Sequence, residues 1–253
     1  DNEKINTVFI STLHSTHFEY SMLALKKSKN LFVEKPPCIN IDQLNKLSKL
    51  YEKINKRDSL NYMVGFNRRF SSHILKIKKY FGNKNSISQI LYRINGGPIS
   101  LNSWVYEDSH GGGMLIGEMC HFINVMIFIT QSEPNEVFAY QLDFNNENSY
   151  KKSDNICVLI KFSNGSIANM VYNTIGNKNL KKEYMEIYSD GIIGIVDDFK
   201  SSEIISNKKN IKHKTRNQDK GQKNMLDSFF ESILEGKENP IPFNEIATTM
   251  NVV

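Results

Sequence analysis

Cysteine is scarce. Cys38, Cys120 and Cys157 are the whole supply, odd in number and without C-x-x-C spacing. That argues against a disulfide framework and against a zinc site, so no metal is expected. Long hydrophobic runs are lacking too: the longest, Phe122 to Ile129, is interrupted by Asn124 and is far too short to span a bilayer. No basic segment followed by an apolar stretch opens the sequence, which makes the cytoplasm the default compartment. Neither sign of charge dominates. The net charge is +5, and much of it lies in "NKKNIKHKTRNQDKGQKN", residues 207–224, which has no interleaved aromatic residue. A solvated, lysine-rich loop or strand edge is expected there, not nucleic-acid binding. Also missing is any G-x-G-x-x-G that follows a strand, the turn that seats a dinucleotide pyrophosphate.

What is present reads as a globular protein. Of 253 residues, 40% are apolar and 23% charged, enough for a sizeable core in one large or two ordinary domains. "TVFI" (7–10), "LFV" (31–33) and "LNYMVGF" (60–66) are short apolar strands. Helical patterns separate them: Phe18, Met22 and Leu25 first, then Ile41, Leu44, Leu47, Tyr51 and Ile54. Asn40 with Gln43 three residues on marks the second helix start as a capping box. A third helix runs through Ile74, Ile77 and Phe81. This alternation predicts a parallel sheet with crossover helices over residues 1–82. Residues 83–253 change character, with a strand in "SISQILYRIN", a long helix over 114–130, and two hairpins. "CVLIKF-SNG-SIANMVY" and "EYMEIY-SDG-IIGIVDD" place Asn-Gly and Asp-Gly between β-type runs. A last amphipathic helix carries Met225, Leu226, Phe229, Phe230 and Ile233. The fold class expected is α/β, an incomplete Rossmann-type parallel sheet followed by an α+β domain with a large, mostly antiparallel open sheet.

"LFVEKPP" then raises a specific question. A strand apolar on both faces ends in Glu34 and Lys35, and Pro36 and Pro37 forbid continuation. In an open parallel sheet, ligands sit beyond the carboxyl ends of the strands. A lysine held beside a carboxylate there can hydrogen-bond a substrate hydroxyl and assist its deprotonation. A surface ion pair before a proline turn is the competing reading, and local chemistry leaves both open.

"VFISTLHSTHFEYSMLALKKSKNLFVEKPP" resembles the glucose-fructose oxidoreductase, inositol dehydrogenase and MocA (Gfo/Idh/MocA) family of NAD(P)-dependent oxidoreductases. In that family a strand ending in Thr-Pro-x-x-x-His leads through a helix to Glu-Lys-Pro. Thr12 and His17 fall on this pattern, with Leu13 in place of the proline. "VGFNRRF" (64–70) is similar to the family's next strand and its exit. "GGGMLIGEMCHFIN" (111–124) resembles its glycine-rich entry to the helix that bears the catalytic histidine. "WVYEDSHGGGMLIGEMCHF", "RNQDKGQKN" and "NPIPFNEI" are similar to a narrower group fused behind a zinc-type alcohol dehydrogenase.

The resemblance implies hydride transfer between nicotinamide and a carbinol carbon of a sugar, nucleotide sugar or cyclitol. His121 would be the acid/base and Lys35 would bind the same oxygen, the two converging on one pocket. Without the family, His121 is a core or capping histidine. Thr12, His17, Glu34, Lys35 and Pro36 would line the NAD or NADP site. Asn67, Arg68, Trp104, Glu118 and Lys220 become candidate substrate contacts, with Asp219 beside Lys220 a weaker one. At least one of Arg68 and Arg69 reads as a domain-interface ion pair, and Trp104 reads equally as a loop anchor. Many relatives carry Asp four residues before the histidine, where this chain has Gly117; Glu118 supplies the nearby carboxylate. The glycines of "GGGMLIG" follow "EDSH", not a strand, and read as a turn allowing close approach to substrate.

Relatives open with a strand, glycine turn, helix and strand ahead of "TVFIST", so this chain is expected to be a fragment that binds NAD(P) weakly or not at all. The sequence leaves open whether it is an enzyme or a catalytically inactive remnant keeping its second domain for binding or dimerisation. The partners expected are a polyol or sugar substrate and a second copy through the antiparallel sheet, with no nucleic acid and no membrane.

Overall fold

The computed structural model describes residues 2–58, 60–81, 86–107, 110–143 and 151–253. The chain forms two compact units, the first from residues 1–66, 104–124 and 223–253, the second from 67–103 and 125–222. The boundary expected between residues 82 and 83 lies outside the described residues.

In the first unit, β1 (Thr7–Ile10), β2 (Asn30–Val33) and β3 (Tyr62–Val64) form a parallel sheet in the order β1-β2-β3. β1 leads through α1 (His14–Lys26) to β2, and β2 through α2 (Ile41–Asp58) to β3. β3 is shorter than its apolar run, but the ladder continues with the Gly65 N–H donating to the Val33 carbonyl at 2.9 Å. α2 forms where its cap says it should: Asn40 accepts the Gln43 N–H at 2.9 Å. The return bond goes one residue further back than expected, from the Ile39 N–H to Gln43 Oε1 at 3.0 Å. Leu44, Leu47, Tyr51 and Ile54 are buried as their spacing predicts, whereas Ile41 is exposed.

The buried face of α1 is only in part the expected one, with Leu25 buried as its spacing predicts. Phe18 and Met22 are half-buried, and the helix buries His14, His17, Ser21, Ala24 and Leu25. His17 is held on this inner face by the Pro36 and Thr12 carbonyls at the sheet edge, and His14 by the Gly111 carbonyl.

α5 (Gln222–Leu234), expected to be the last helix, is not. α6 (Phe243–Val252) follows, and Phe243 stacks on Tyr51 at 4.1 Å and meets Tyr62 edge-on at 5.2 Å. On the other side, Phe9 packs against Phe32 at 5.2 Å and Phe229 of α5 at 5.6 Å. Each ring fully removed from water contributes about 1.5–3 kcal/mol, so these clusters hold the small sheet between its helices.

The second unit holds an eight-stranded sheet in the order β11-β10-β9-β8-β4-β7-β6-β5. Its strands are β4 (Gln89–Asn95), β5 (Pro134–Gln141), β6 (Ile156–Phe162), β7 (Ile167–Asn173), β8 (Glu183–Ser189), β9 (Ile192–Asp197), β10 (Ser201–Ile205) and β11 (Asn210–Lys214). Every neighbouring pair is antiparallel except β4–β7. Both hairpins form, and the β8–β9 turn puts Asp190 and Gly191 at φ 49° and 74°, the mirror-image turn that matches strand twist. Two elements went unread in the sequence, β5 and the β10–β11 hairpin. The lysine-rich run does supply the sheet edge, β11. α3 (Ser72–Phe81) covers the inner face, where a Cβ on Gly194 would stand 2.9 Å from the Phe81 ring. The inner face is apolar, with Ile90, Tyr92, Ile160, Met170 and Ile187 buried. Leu91, Leu159 and Ile167 leave the outer face partly apolar and exposed.

Candidate active site at the carboxyl edge of the parallel sheet

Because β1, β2 and β3 are parallel, their exits share one edge. Ser11 and Thr12 leave β1, Glu34 to Pro36 leave β2, and Gly65 and Phe66 leave β3. The edge is tied together by His17, which is buried. Its Nδ1 lies 2.7 Å from the Pro36 carbonyl oxygen and its Nε2 3.1 Å from that of Thr12. One imidazole thereby links the β1 and β2 exits. Thr12 is exposed, with its hydroxyl 2.6 Å from that of Thr16. Glu34 folds over Gly65, where a Cβ would stand 2.8 Å from Glu34 Oε2, so glycine leaves the space the carboxylate fills.

The Lys35 ammonium reaches the helical segment that carries His121. Lys35 Nζ donates to the Gly117 carbonyl at 2.7 Å and lies 3.9 Å from Glu118 Oε1. The segment is helical throughout 114–130, as the sequence predicts, but in two forms. Leu115–Met119 makes a π-helical turn, and α4 (Cys120–Thr130) continues it. A π turn lets go of the regular i to i+4 ladder and turns a carbonyl outward, and such turns concentrate at functional sites. His121 stands four residues beyond Gly117, about one helical turn on and so on the same side. It is buried, with its ring 6.4 Å from Phe66 in an edge-to-face arrangement.

A second imidazole, which the sequence analysis passed over, sits beside this pair. His14 opens α1, and its Nδ1 lies 2.9 Å from the Gly111 carbonyl oxygen. Trp104, also counted among the substrate contacts, meets the His14 ring edge-on at 4.8 Å. Burial pushes the His14 pKa below its usual value; the bond to Gly111 opposes, the Lys35 and His17 charges add to the lowering, and Glu118 opposes. Its sequence signal was the spacing of His14 and His17, three residues apart on one helix face. Gly111 packs directly on the Trp104–Tyr106 turn, since a Cβ there would overlap the Val105 carbonyl.

The other substrate candidates gather in the second unit. Arg68 makes a two-pronged ion pair with Glu183, at 2.7 and 2.9 Å, and both are buried. Lys220 Nζ lies 2.9 Å from the same carboxylate, and the Tyr92 hydroxyl donates to it at 2.7 Å. Burial works to raise the Glu183 pKa, but Arg68, then Lys220 and Tyr92, hold it down at about 2. Asn67 donates to the Lys220 carbonyl at 2.8 Å. Asp219 accepts the Ser72 N–H at 2.9 Å and the Gly221 N–H at 3.0 Å, capping α3. Burial tends to raise its pKa, and these bonds hold it below the usual carboxylate range. Arg69 lies over the Phe128 ring at 4.3 Å, a cation–π contact. Asn67, Arg68 and Lys220 thus spend these contacts on protein partners. Among the described residues, no cluster of His, Cys, Asp and Glu suits a metal, and no helix is long and apolar enough to cross a membrane.

Comparison with known proteins agrees with this architecture. A family model described as the oxidoreductase family, NAD-binding Rossmann fold, matches residues 1–66, and one for the GFO/IDH/MocA C-terminal domain matches residues 88–191. The uncharacterized oxidoreductase YrbE of Bacillus subtilis is 25% identical over 166 residues, covering 65% of this chain and 47% of its own length. The myo-inositol 2-dehydrogenase of Thermotoga maritima is 24% identical over 169 residues, covering 66% and 49%. The chain therefore spans about half the length of these curated relatives. The aldose-aldose oxidoreductase of Caulobacter crescentus, solved with glycerol, superposes with a TM-score of 0.81 at 18% identity, covering 100% of this chain and 76% of that one. Two matches to consecutive domains of one family, on a fold with the parallel sheet first and the open antiparallel sheet second, lead to one conclusion: the chain belongs to the Gfo/Idh/MocA oxidoreductase family.

Proposed function

We propose that the protein transfers a hydride between a nicotinamide cofactor, NAD or NADP, and a carbinol carbon of a sugar, nucleotide sugar or cyclitol. The observation that carries this reading is the Lys35 ammonium, fixed on the carbonyl one turn before His121. Bound nicotinamide would supply the hydride acceptor. In the oxidation direction His121 takes the hydroxyl proton as the carbinol C–H bond breaks, and returns it in reduction. Lys35 hydrogen-bonds the same oxygen and stabilises negative charge developing on it. Glu118, 3.9 Å from Lys35 Nζ, pairs with the ammonium and helps hold it in place.

The carboxyl edge fits the nicotinamide end of such a cofactor. Thr12, Glu34 and Pro36 leave adjacent parallel strands there, and His17 holds their exits at a fixed separation. Among the described residues no strand–glycine turn–helix offers a seat for a pyrophosphate, so none is assigned to it. The exposed apolar face of the eight-stranded sheet supports self-association as the second domain's contribution.

The test is turnover. The protein, with NAD+ or NADP+ at millimolar concentration, is offered myo-inositol, glucose and UDP-N-acetylglucosamine while nicotinamide reduction is followed by absorbance. Reduction that depends on one of these alcohols is expected. No reduction with any of them, by a protein that circular dichroism shows to be folded, would contradict the proposal.

A further inference from the structure

The proposed reaction leaves a buried imidazole unused. We infer that His14 is a further substrate-contacting residue of this site, a hydrogen-bond acceptor for a hydroxyl of the polyol or sugar, and that Gly117 is what makes room for it. The inference rests on the hydride-transfer reading above.

The orientation of the ring follows from its one hydrogen bond. A backbone carbonyl can only accept, so the Gly111 oxygen, 2.9 Å away, places the proton on His14 Nδ1. In the neutral ring the lone pair then belongs to Nε2, which has no hydrogen-bond partner among the described residues. Trp104, edge-on at 4.8 Å, fixes the ring plane.

Gly117 sets the position. A Cβ there would lie 2.9 Å from His14 Cε1 and 3.9 Å from Nε2, so a side chain at 117 and this ring cannot share the space. The same residue offers its carbonyl to Lys35, and the next one is Glu118. A cation, a carboxylate and an imidazole lone pair therefore meet around one helical turn. The proposed reaction uses the cation on the reacting oxygen; the lone pair is a further, neutral acceptor beside it. Its complement is an O–H or N–H donor, which a polyol offers at several carbons.

Neutrality is part of the arrangement, since a protonated ring could not accept at Nε2. The charged and titratable groups acting on His14 are Lys35 and His17, which disfavour protonation, and Glu118, which favours it. Burial decides for the neutral form.

Two substitutions separate this role from a structural one. In His14→Asn the amide N–H can still donate to Gly111, but nothing replaces Nε2. In His14→Gln the amide oxygen can stand near the Nε2 position, while the Gly111 bond is lost. For whichever alcohol is turned over, His14→Asn is expected to raise KM about tenfold with kcat nearly unchanged, the worth of one neutral hydrogen bond, and His14→Gln to recover most of it. The reverse order, with His14→Gln the more damaged, would overturn the inference.

A second readout needs no turnover. In protein labelled with nitrogen-15 at histidine, Nε2 of His14 should be unprotonated at pH 7 and should shift upfield when myo-inositol, glucose or UDP-N-acetylglucosamine is added. A probe that moves His121 and leaves His14 unmoved would sink the inference while leaving the hydride-transfer reading in place. If all three probes leave both histidines unmoved, the two fall together.

Discussion

Lys35 and Gly117 are separated by 82 positions in the chain, yet the ammonium of one lies 2.7 Å from the carbonyl oxygen of the other. This bond joins the exit of the second parallel strand to the turn that precedes His121. It gives the Glu-Lys-Pro break a physical role: the strand delivers a cation to a helix, and the prolines carry the backbone away.

The buried Glu183 cluster should dominate the acid stability of the second unit. Its carboxylate is held at about 2 by Arg68, Lys220 and Tyr92 against a reference of 4.5. A depressed folded-state pKa contributes stability that is complete above the unfolded value and lost as pH falls through the folded one. Thermal melts should therefore lose stability between about pH 4.5 and pH 2. Glu183→Gln should remove most of that dependence and destabilise by about 3–5 kcal/mol, because the buried Arg68 loses its carboxylate. An unchanged acid limb in the variant would contradict this.

The histidines act in the same direction at higher pH. Burial lowers the pKa of His14, of His73, which bonds Ser202 at 3.0 Å and Thr215 at 3.2 Å, and of His213. A lowered folded-state value means the unfolded chain takes up the proton first, so stability rises with pH up to about the unfolded value of 6.5 and levels off above it. Melting temperature should climb from pH 5 to pH 7, and His73→Gln should flatten part of that rise. A curve flat over this range in the unaltered protein would rule the effect out.

Much of this was legible beforehand and some was not. The β6–β7 and β8–β9 hairpins were readable because Asn-Gly and Asp-Gly leave few alternatives between β-type runs. α2 was readable from Leu44, Leu47, Tyr51 and Ile54 and from its cap. The inner face of α1 was not, because His14, His17 and Ser21 are polar and a hydrophobic-periodicity argument discards them. β5 escaped because it is exposed along nearly its whole length and shows no alternation. α6 escaped because "NEIATTMNVV" has few apolar positions until Tyr51 and Tyr62 supply partners for Phe243. Glu183, 115 residues from Arg68, carried no local signal at all. The Lys35 side chain was predictable in its place on the sheet edge; the π turn that receives it was not.

Self-association through the eight-stranded sheet predicts a concentration-dependent mass. Sedimentation velocity should show a dimer or larger species, and Leu159→Glu with Leu91→Glu on the exposed face should reduce it to the monomer. A monomer at all concentrations in the unaltered protein would remove this role from the sheet.

Cofactor affinity is a separate matter from chemistry. With no glycine turn among these residues to seat the pyrophosphate, calorimetric titration with NAD+, NADH and their phosphorylated forms should give millimolar or weaker binding. Micromolar binding by the same chain would show that other residues hold the phosphates.

The most direct measurement is kcat/KM for the alcohol, with Lys35→Ala and His121→Asn compared with the unaltered protein at one fixed, millimolar cofactor concentration. The account predicts a loss of about 10²–10⁴-fold in each, with far-ultraviolet circular dichroism unchanged, the range ordinarily lost with a general acid–base group. Turnover unaffected by either substitution would contradict the pairing of Lys35 with His121 and, with it, the proposed chemistry.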